Sequence, residues 1–190
     1  MQDKKFSRRD VLFGGLRKLR TIGAEHLAKA APAPDAAPAA HPASELSQRL
    51  GAGHAAFNRA DYAAAAEEYR ACMRLDPEHP DVRRRLGYCL YRLGQYVQAK
   101  VELERALRIL NKDNFSSLYL GLTLARMNRP ADAVAAWRAY YNPDEIRIMR
   151  ELNLQIALLE APEPATAVDA ADAVEEAVEL RKEELREAKG

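Results

Sequence analysis

The chain has 190 residues, 48% apolar and 30% charged, with 29 Lys and Arg against 28 Asp and Glu. That length suits one folded domain with appendages, and so even a charge balance lacks the strongly basic footprint of a nucleic-acid-binding domain. Two cysteines (Cys72, Cys89) and four histidines (His26, His41, His54, His79) form no disulfide framework and no metal-ligand spacing, and no apolar run reaches the length that spans a bilayer.

Charge is spread unevenly. Residues 1–30 carry eight Lys and Arg against three Asp and Glu, and residues 166–190 carry four against eight. Residues 1–27 form the basic head. Within it, Ser7-Arg8-Arg9-Asp10-Val11-Leu12 resembles a twin-arginine leader. Such leaders need an uncharged apolar stretch, and here only six residues, Val11 to Leu16, precede Arg17, Lys18 and Arg20. The other functional reading is a basic amphipathic helix, with Leu12, Leu16, Leu19 and Leu27 on one side, suited to an anionic membrane surface or an acidic partner. A disordered basic tail is the third. The targeting or membrane residues are thus Arg8, Arg9, Leu12, Leu16 and Leu19. The expected compartment is the cytoplasm, peripheral to the inner membrane, with the periplasm as the alternative should the leader work. Residues 28–43 are an Ala/Pro spacer with no periodic apolar face.

Residues 44–160 carry apolar residues at helical spacing. Ser44 is the expected N-cap of the first helix, and Asn58 to Asp61 turn into a second, expected from Tyr62 to Leu75. Asp76-Pro77 stops that helix, and Pro80 and Asp81 open the next. Leu93-Gly94-Gln95, Lys112-Asp113-Asn114 and Asn128-Arg129-Pro130 mark later turns. Asn142-Pro143-Asp144-Glu145 is expected to launch a capping helix whose Ile146, Met149, Leu152, Ile156 and Leu159 cover the end of the array. In residues 161–190, Thr166 with Asp169 signals one more helix start. Its stripe of Val174, Val178 and Leu185 is thin, so a solvated acidic helix or tail is expected.

The block repeats itself. Gly53, Gly87 and Gly121 stand 34 residues apart; each is followed after twelve residues by Ala65, Ala99 or Ala133, then by Tyr69, Leu103 or Trp137. This resembles the tetratricopeptide repeat, which pairs such a glycine with a small residue and a ring. The pattern is incomplete: Arg49, Arg83 and Ser117 occupy the place of a large aromatic near the start of each unit, and Ala56, Leu90 and Leu124 stand where a Tyr is usual. The resemblance implies an all-α, right-handed solenoid of three helix-turn-helix repeats plus a capping helix, with flexible extensions at both ends.

It also implies a non-enzymatic protein-binding module whose groove, lined by the first helix of each repeat, holds a peptide or helix of a partner. Carried over by register, the groove residues are Leu50, His54, Phe57 and Asn58, then Arg84, Tyr88, Tyr91 and Arg92, then Leu118, Leu122 and Arg126. Leu50 and His54 stand where some members use a carboxylate clamp, so a chaperone's acidic terminus is not the expected ligand. The acidic tail could fold over the groove of its own or a second chain, with Arg84, Arg92 and Arg126 facing its glutamates. No phosphate loop, nucleophile elbow or metal cluster is written in the chain, so neither catalysis nor a cofactor is expected. Glu67, Glu68, Glu102 and Glu104 read as solvated helix faces. The Arg83-Arg84-Arg85 run keeps a nucleic-acid-associated regulator as an alternative.

Overall fold

A computed structural model describes residues 42–188. The leader-like head with Arg8, Arg9, Leu12, Leu16 and Leu19, and nearly all of the 28–43 spacer, lie outside the described residues. Among those described, eight helices follow one another: α1 (Pro42–Asn58), α2 (Tyr62–Leu75), α3 (Pro80–Arg92), α4 (Tyr96–Leu110), α5 (Asn114–Arg126), α6 (Pro130–Arg138), α7 (Ile146–Leu159) and α8 (Ala167–Glu187). They form an all-α repeat array. The hairpins α1/α2, α3/α4 and α5/α6 stack in order, α2 packing on α3 and α4 on α5.

Local chemistry sets the helix ends. The Asp61 carboxylate accepts from the Ala64 N–H at 3.1 Å, and Asp113 accepts from the Ser116 N–H at 2.8 Å. Each satisfies an amide that a helix start leaves without a partner. Pro80 and Pro130 open α3 and α6, where the missing N–H costs nothing. The turn inside each hairpin needs one left-handed residue, and the need recurs every 34 residues: Ala60, Gly94 and Asn128 have φ of 60°, 71° and 55°. Of the three, only Ala60 has a Cβ but no polar group to compensate that conformation.

Between the two helices of a repeat the backbones approach closely. A Cβ added at Gly87 would lie 2.6 Å from Leu103 Cγ, and at Gly121 it would collide with the indole of Trp137. The ring and its facing glycine thus interlock, as Gly53 and Tyr69 do one repeat earlier. Where an aromatic is missing, an ion pair spans the same two helices. Arg49 meets Glu68 at 3.2 Å, and Arg83 meets Glu102 at 2.7 Å, one repeat further on. Glu102 is therefore no solvated helix face; its side chain is 17% exposed.

The C-terminal end departs most from expectation. Residues 142–144 form a turn in which Asn142 Oδ1 accepts from the Asp144 N–H, and α7 begins only at Ile146. Ile146 is consequently 61% exposed, and the buried face runs Ile148, Leu152, Gln155, Ile156 and Leu159. The helix after it is not solvated. Thr166 caps α8 as its sequence signals, accepting from the Asp169 N–H at 3.1 Å. Its buried face is Ala167, Ala170, Ala171, Val174, Ala177 and Val178, packed on α7 and on α5, while Leu185 is exposed. Small side chains let α8 sit close, and a stripe counted only in large apolar residues overlooks them.

Candidate functional site

The first helices α1, α3 and α5 carry a line of touching rings. Phe57 of α1 lies 5.3 Å from Tyr88 of α3, which lies 5.6 Å from Phe115 and 4.6 Å from Tyr119 of α5. Tyr62, at the start of α2, meets both Phe57 and Tyr88 edge-on. Edge-to-face pairs at these separations favour one fixed arrangement. The line runs across the repeats on the face where register places the groove.

Its two ends differ. At the α1 end, Leu50, His54 and Phe57 are half-buried and Asn58 is exposed. The Arg92 guanidinium lies 4.7 Å from the Tyr62 ring centre and donates to Tyr88 Oη at 2.8 Å, its side chain open to solvent on the outer side. Arg84 is committed locally, to Asp81 and at 3.2 Å to Asp113. Arg85 also binds Asp81, at 3.0 Å. Burial alone would raise the Asp81 carboxyl, but Arg84 and Arg85 together hold it below its ordinary range.

At the α5 end the surface is covered by α8. Tyr91 is 4% exposed and donates its hydroxyl to Glu175, which also accepts from Arg126. Arg126 reaches Asp172 at 2.6 Å as well. Burial opposes the Arg126 charge, but its bonds to Tyr91, Asp172 and Glu175 outweigh that and keep the guanidinium charged. Burial also pushes the Tyr91 and Tyr119 hydroxyls well above the usual phenol range, with Glu175 adding to the effect at Tyr91. Leu118 and Leu122 are buried. A cavity of about 330 Å³ remains between Tyr88, Tyr91, Tyr119 and Leu122 on one side and Glu175, Val178 and Glu179 of α8 on the other.

Of the register-derived residues, then, Phe57 and Arg92 come together on an accessible edge, with Tyr88 buried behind them. Tyr91, Leu122 and Arg126 come together beneath α8. Among the three arginines expected to face the tail, Arg126 alone forms an ion pair with it; Glu184 binds Arg147 of α7, and Arg181 of α8 binds Glu145 at 2.6 Å. Register alone left out Tyr62, Phe115 and Tyr119. A signal for Tyr62 existed, since it and Tyr96 open second helices 34 residues apart. Phe115 and Tyr119 take the repeat positions that Asp81 and Arg85 hold one unit earlier. Among the described residues no cluster of His, Cys, Asp and Glu could hold a metal ion, and no helix is long and apolar enough to cross a membrane. Cys72 and Cys89 are buried thiols, and burial pushes Cys89 up to about 12.

Residues 56–122 match the family model described as tetratricopeptide repeat. No curated protein sequence matches the chain. Among solved structures, a mutant of Thermobaculum terrenum O-GlcNAc transferase superposes with a TM-score of 0.56 at 15% identity, over 64% of this chain and 24% of that one. The chain thus spans about a quarter of that protein's length. The first TPR of Spaghetti (RPAP3), bound to the HSP90 peptide SRMEEVD, gives 0.52 at 15% identity over 60% of this chain and 96% of that domain. The Arabidopsis OM64 TPR domain gives 0.50 at 18% identity, over 72% and 98%. At such identities the likeness is one of fold. With the 34-residue register, the stacked hairpins whose glycines face rings or leucine, and the family match in agreement, residues 56–122 are tetratricopeptide repeats.

Proposed function

We propose that the chain is a non-enzymatic interaction module that holds a peptide or helix of a partner protein against the ring-lined face of α1 and α3, as a scaffold or assembly factor at the cell envelope. The observation that carries this reading is α8. A helix already occupies the α5 end of that face, seated by small side chains and fixed through Glu175 to Tyr91 and Arg126. The surface beside it offers Phe57, Tyr62 and Arg92, with Tyr88 buried behind them, and rings and arginine are the usual energetic anchors of interfaces. A carboxylate of the ligand meets Arg92, the groove arginine that makes no ion pair among the described residues. The Spaghetti domain that the fold resembles holds an HSP90 peptide. Leu50 and His54 offer no such carboxylate clamp here, so the proposed ligand is an internal segment rather than an acidic terminus.

The nucleic-acid alternative draws little support, because Arg83 is buried against Glu102 while Arg84 and Arg85 are spent on Asp81. The envelope part of the proposal rests on Ser7-Arg8-Arg9 and the basic head, which would lie on an anionic membrane. Affinity purification of the intact chain and of a Phe57→Ala/Arg92→Glu variant, compared by mass spectrometry, tests the groove. A partner recovered by the first and lost by the second is expected, and equal recovery refutes the reading. Fractionation with and without residues 1–27 tests the compartment, and an unchanged distribution removes the membrane role.

A further inference from the structure

The outer side of the array holds a site that the groove does not explain. α2 and α4 scarcely touch, and between them lies a cavity of about 620 Å³. Its walls are largely aliphatic: Met73 from α2, Leu86 and Leu90 from α3 beneath, Val97 and Val101 from α4. Val97 is 67% exposed although α4 places it one turn from Val101, so an apolar strip faces water here. A second cavity of about 510 Å³ adjoins the first, lined by Arg83, Arg105 and Arg108 with Glu78 and Ile109. Arg83 and Arg105 border both cavities.

The sequence accounts for the space. Arg83 and Leu90 occupy the repeat positions where rings are usual, and both line the first cavity. The basic end is also incompletely satisfied. The Arg83 side chain is 7% exposed; its terminal nitrogens hold Glu102 and the Pro77 carbonyl, but its Nε–H has no acceptor. Such an orphan is uncommon in a buried position. Among the described residues Arg108 pairs with no carboxylate, and Arg105 has only Glu102 at 3.5 Å.

We propose that these joined cavities bind a single-chain anionic amphiphile, an alkyl carboxylate whose head group meets Arg105 and Arg108 and whose chain runs over Val97 and Val101 toward Met73. The volume of the first cavity lies within the roughly 300–1,000 Å³ common to small-molecule sites. The walls are helix faces whose own backbone amides are already paired. A peptide lying there would leave its main chain without partners, whereas an alkyl chain has no polar group to satisfy. Two guanidinium groups at one end grip a carboxylate. This site is independent of the groove and of its partner.

Titration calorimetry on the intact protein at low salt, with decanoate below its micelle concentration, tests the site. Butyrate supplies the charge without the chain and decanol the chain without the charge. Saturable one-to-one binding of decanoate is expected, at least tenfold tighter than either control. Val101→Glu and Arg108→Glu, both at solvent-exposed positions, are expected to weaken it at least tenfold while circular dichroism reports an unchanged helix content; Arg92→Gln in the groove leaves it unaltered. No saturable binding, decanol binding as well as decanoate, or affinities unchanged in both cavity variants would each overturn the proposal.

Discussion

The two ends of the ring-lined face are built from the same repeat and meet different fates. At the α5 end the face is a buried interface, with Leu122 and Tyr91 under α8 and Arg126 spent on two carboxylates. At the α1 end the same helix positions carry Phe57, Tyr88 and Arg92; Tyr88 is buried among rings, but Phe57 is half-buried and Arg92 exposed. The contrast teaches that one repeated surface serves as core or as binding face according to what lies next along the chain. Here the α7/α8 hairpin decides it, because α8 packs on α5 while α7 makes only slight contact with α6.

The largest effect comes from attacking the covered end at its root. Trp137 is almost fully buried against Gly121 and donates to the Leu118 carbonyl at 3.3 Å. Trp137→Ala is expected to cost about 3–5 kcal/mol, measured by chemical denaturation. A loss under 1 kcal/mol would mean that the α5/α6 seam is not the anchor of that end. Next, Val174→Asp places an unpaired carboxylate in the buried face of α8. A loss of about 2–4 kcal/mol of docking is expected. Hydrogen exchange should then show α8 unprotected and α1 to α4 unaltered, which separates the two ends directly; loss of protection throughout would show that they are one cooperative unit.

Titration sharpens the comparison from both sides of neutrality. Asp81, at the open end, has a lowered folded pKa, so its stabilisation is present above the unfolded carboxylate value near ~4 and is lost as pH falls through the folded value. Asp81→Asn should cost about 1 kcal/mol at neutral pH and flatten the acid limb of the stability curve. Tyr91 and Tyr119, at the covered end, have raised values. Their contribution is present below the unfolded phenol value near ~10 and is lost as pH climbs above it. Absorbance near the phenolate band should show these two titrating only when α8 comes away.

The smallest expected effect is a gain. Ala60 turns the first hairpin in a left-handed conformation that Gly94 adopts freely in the second. Ala60→Gly should stabilise the open end by roughly 0.5–1 kcal/mol, a relief of strain partly offset by the freer unfolded chain. No change in the denaturation midpoint would show that Ala60 carries no strain.

Much of this fold could be read without coordinates. The 34-residue spacing of Gly53, Gly87 and Gly121 pointed to three hairpins, and the glycines do face Tyr69, Leu103 and Trp137. The cap at Thr166 and the proline at the start of α3 were equally plain, because each acts on amides a few residues away. At the groove, register put Phe57, Tyr88 and Arg92 on one face, yet it offered Arg84 to the tail's glutamates when Asp81 and Asp113 hold it. The Glu102 ion pair with Arg83, at separation 19, was likewise invisible to a helix-by-helix count of solvated charge.

Periodicity, caps and turn residues are short-range, and so the chain alone settled which segments coil and which stack on their neighbours. Docking of α8 is another matter. Its alanines look featureless along the sequence, and their burial depends on the gap that α5 and α7 happen to leave. The outer cavity has the same origin: Arg83 and Leu90 read in the sequence only as departures from the repeat pattern, and they line a cavity because α2 and α4 stand apart around them. Both depend on how far apart packed helices come to rest, a quantity set by all the side chains between them rather than by any one stretch of chain.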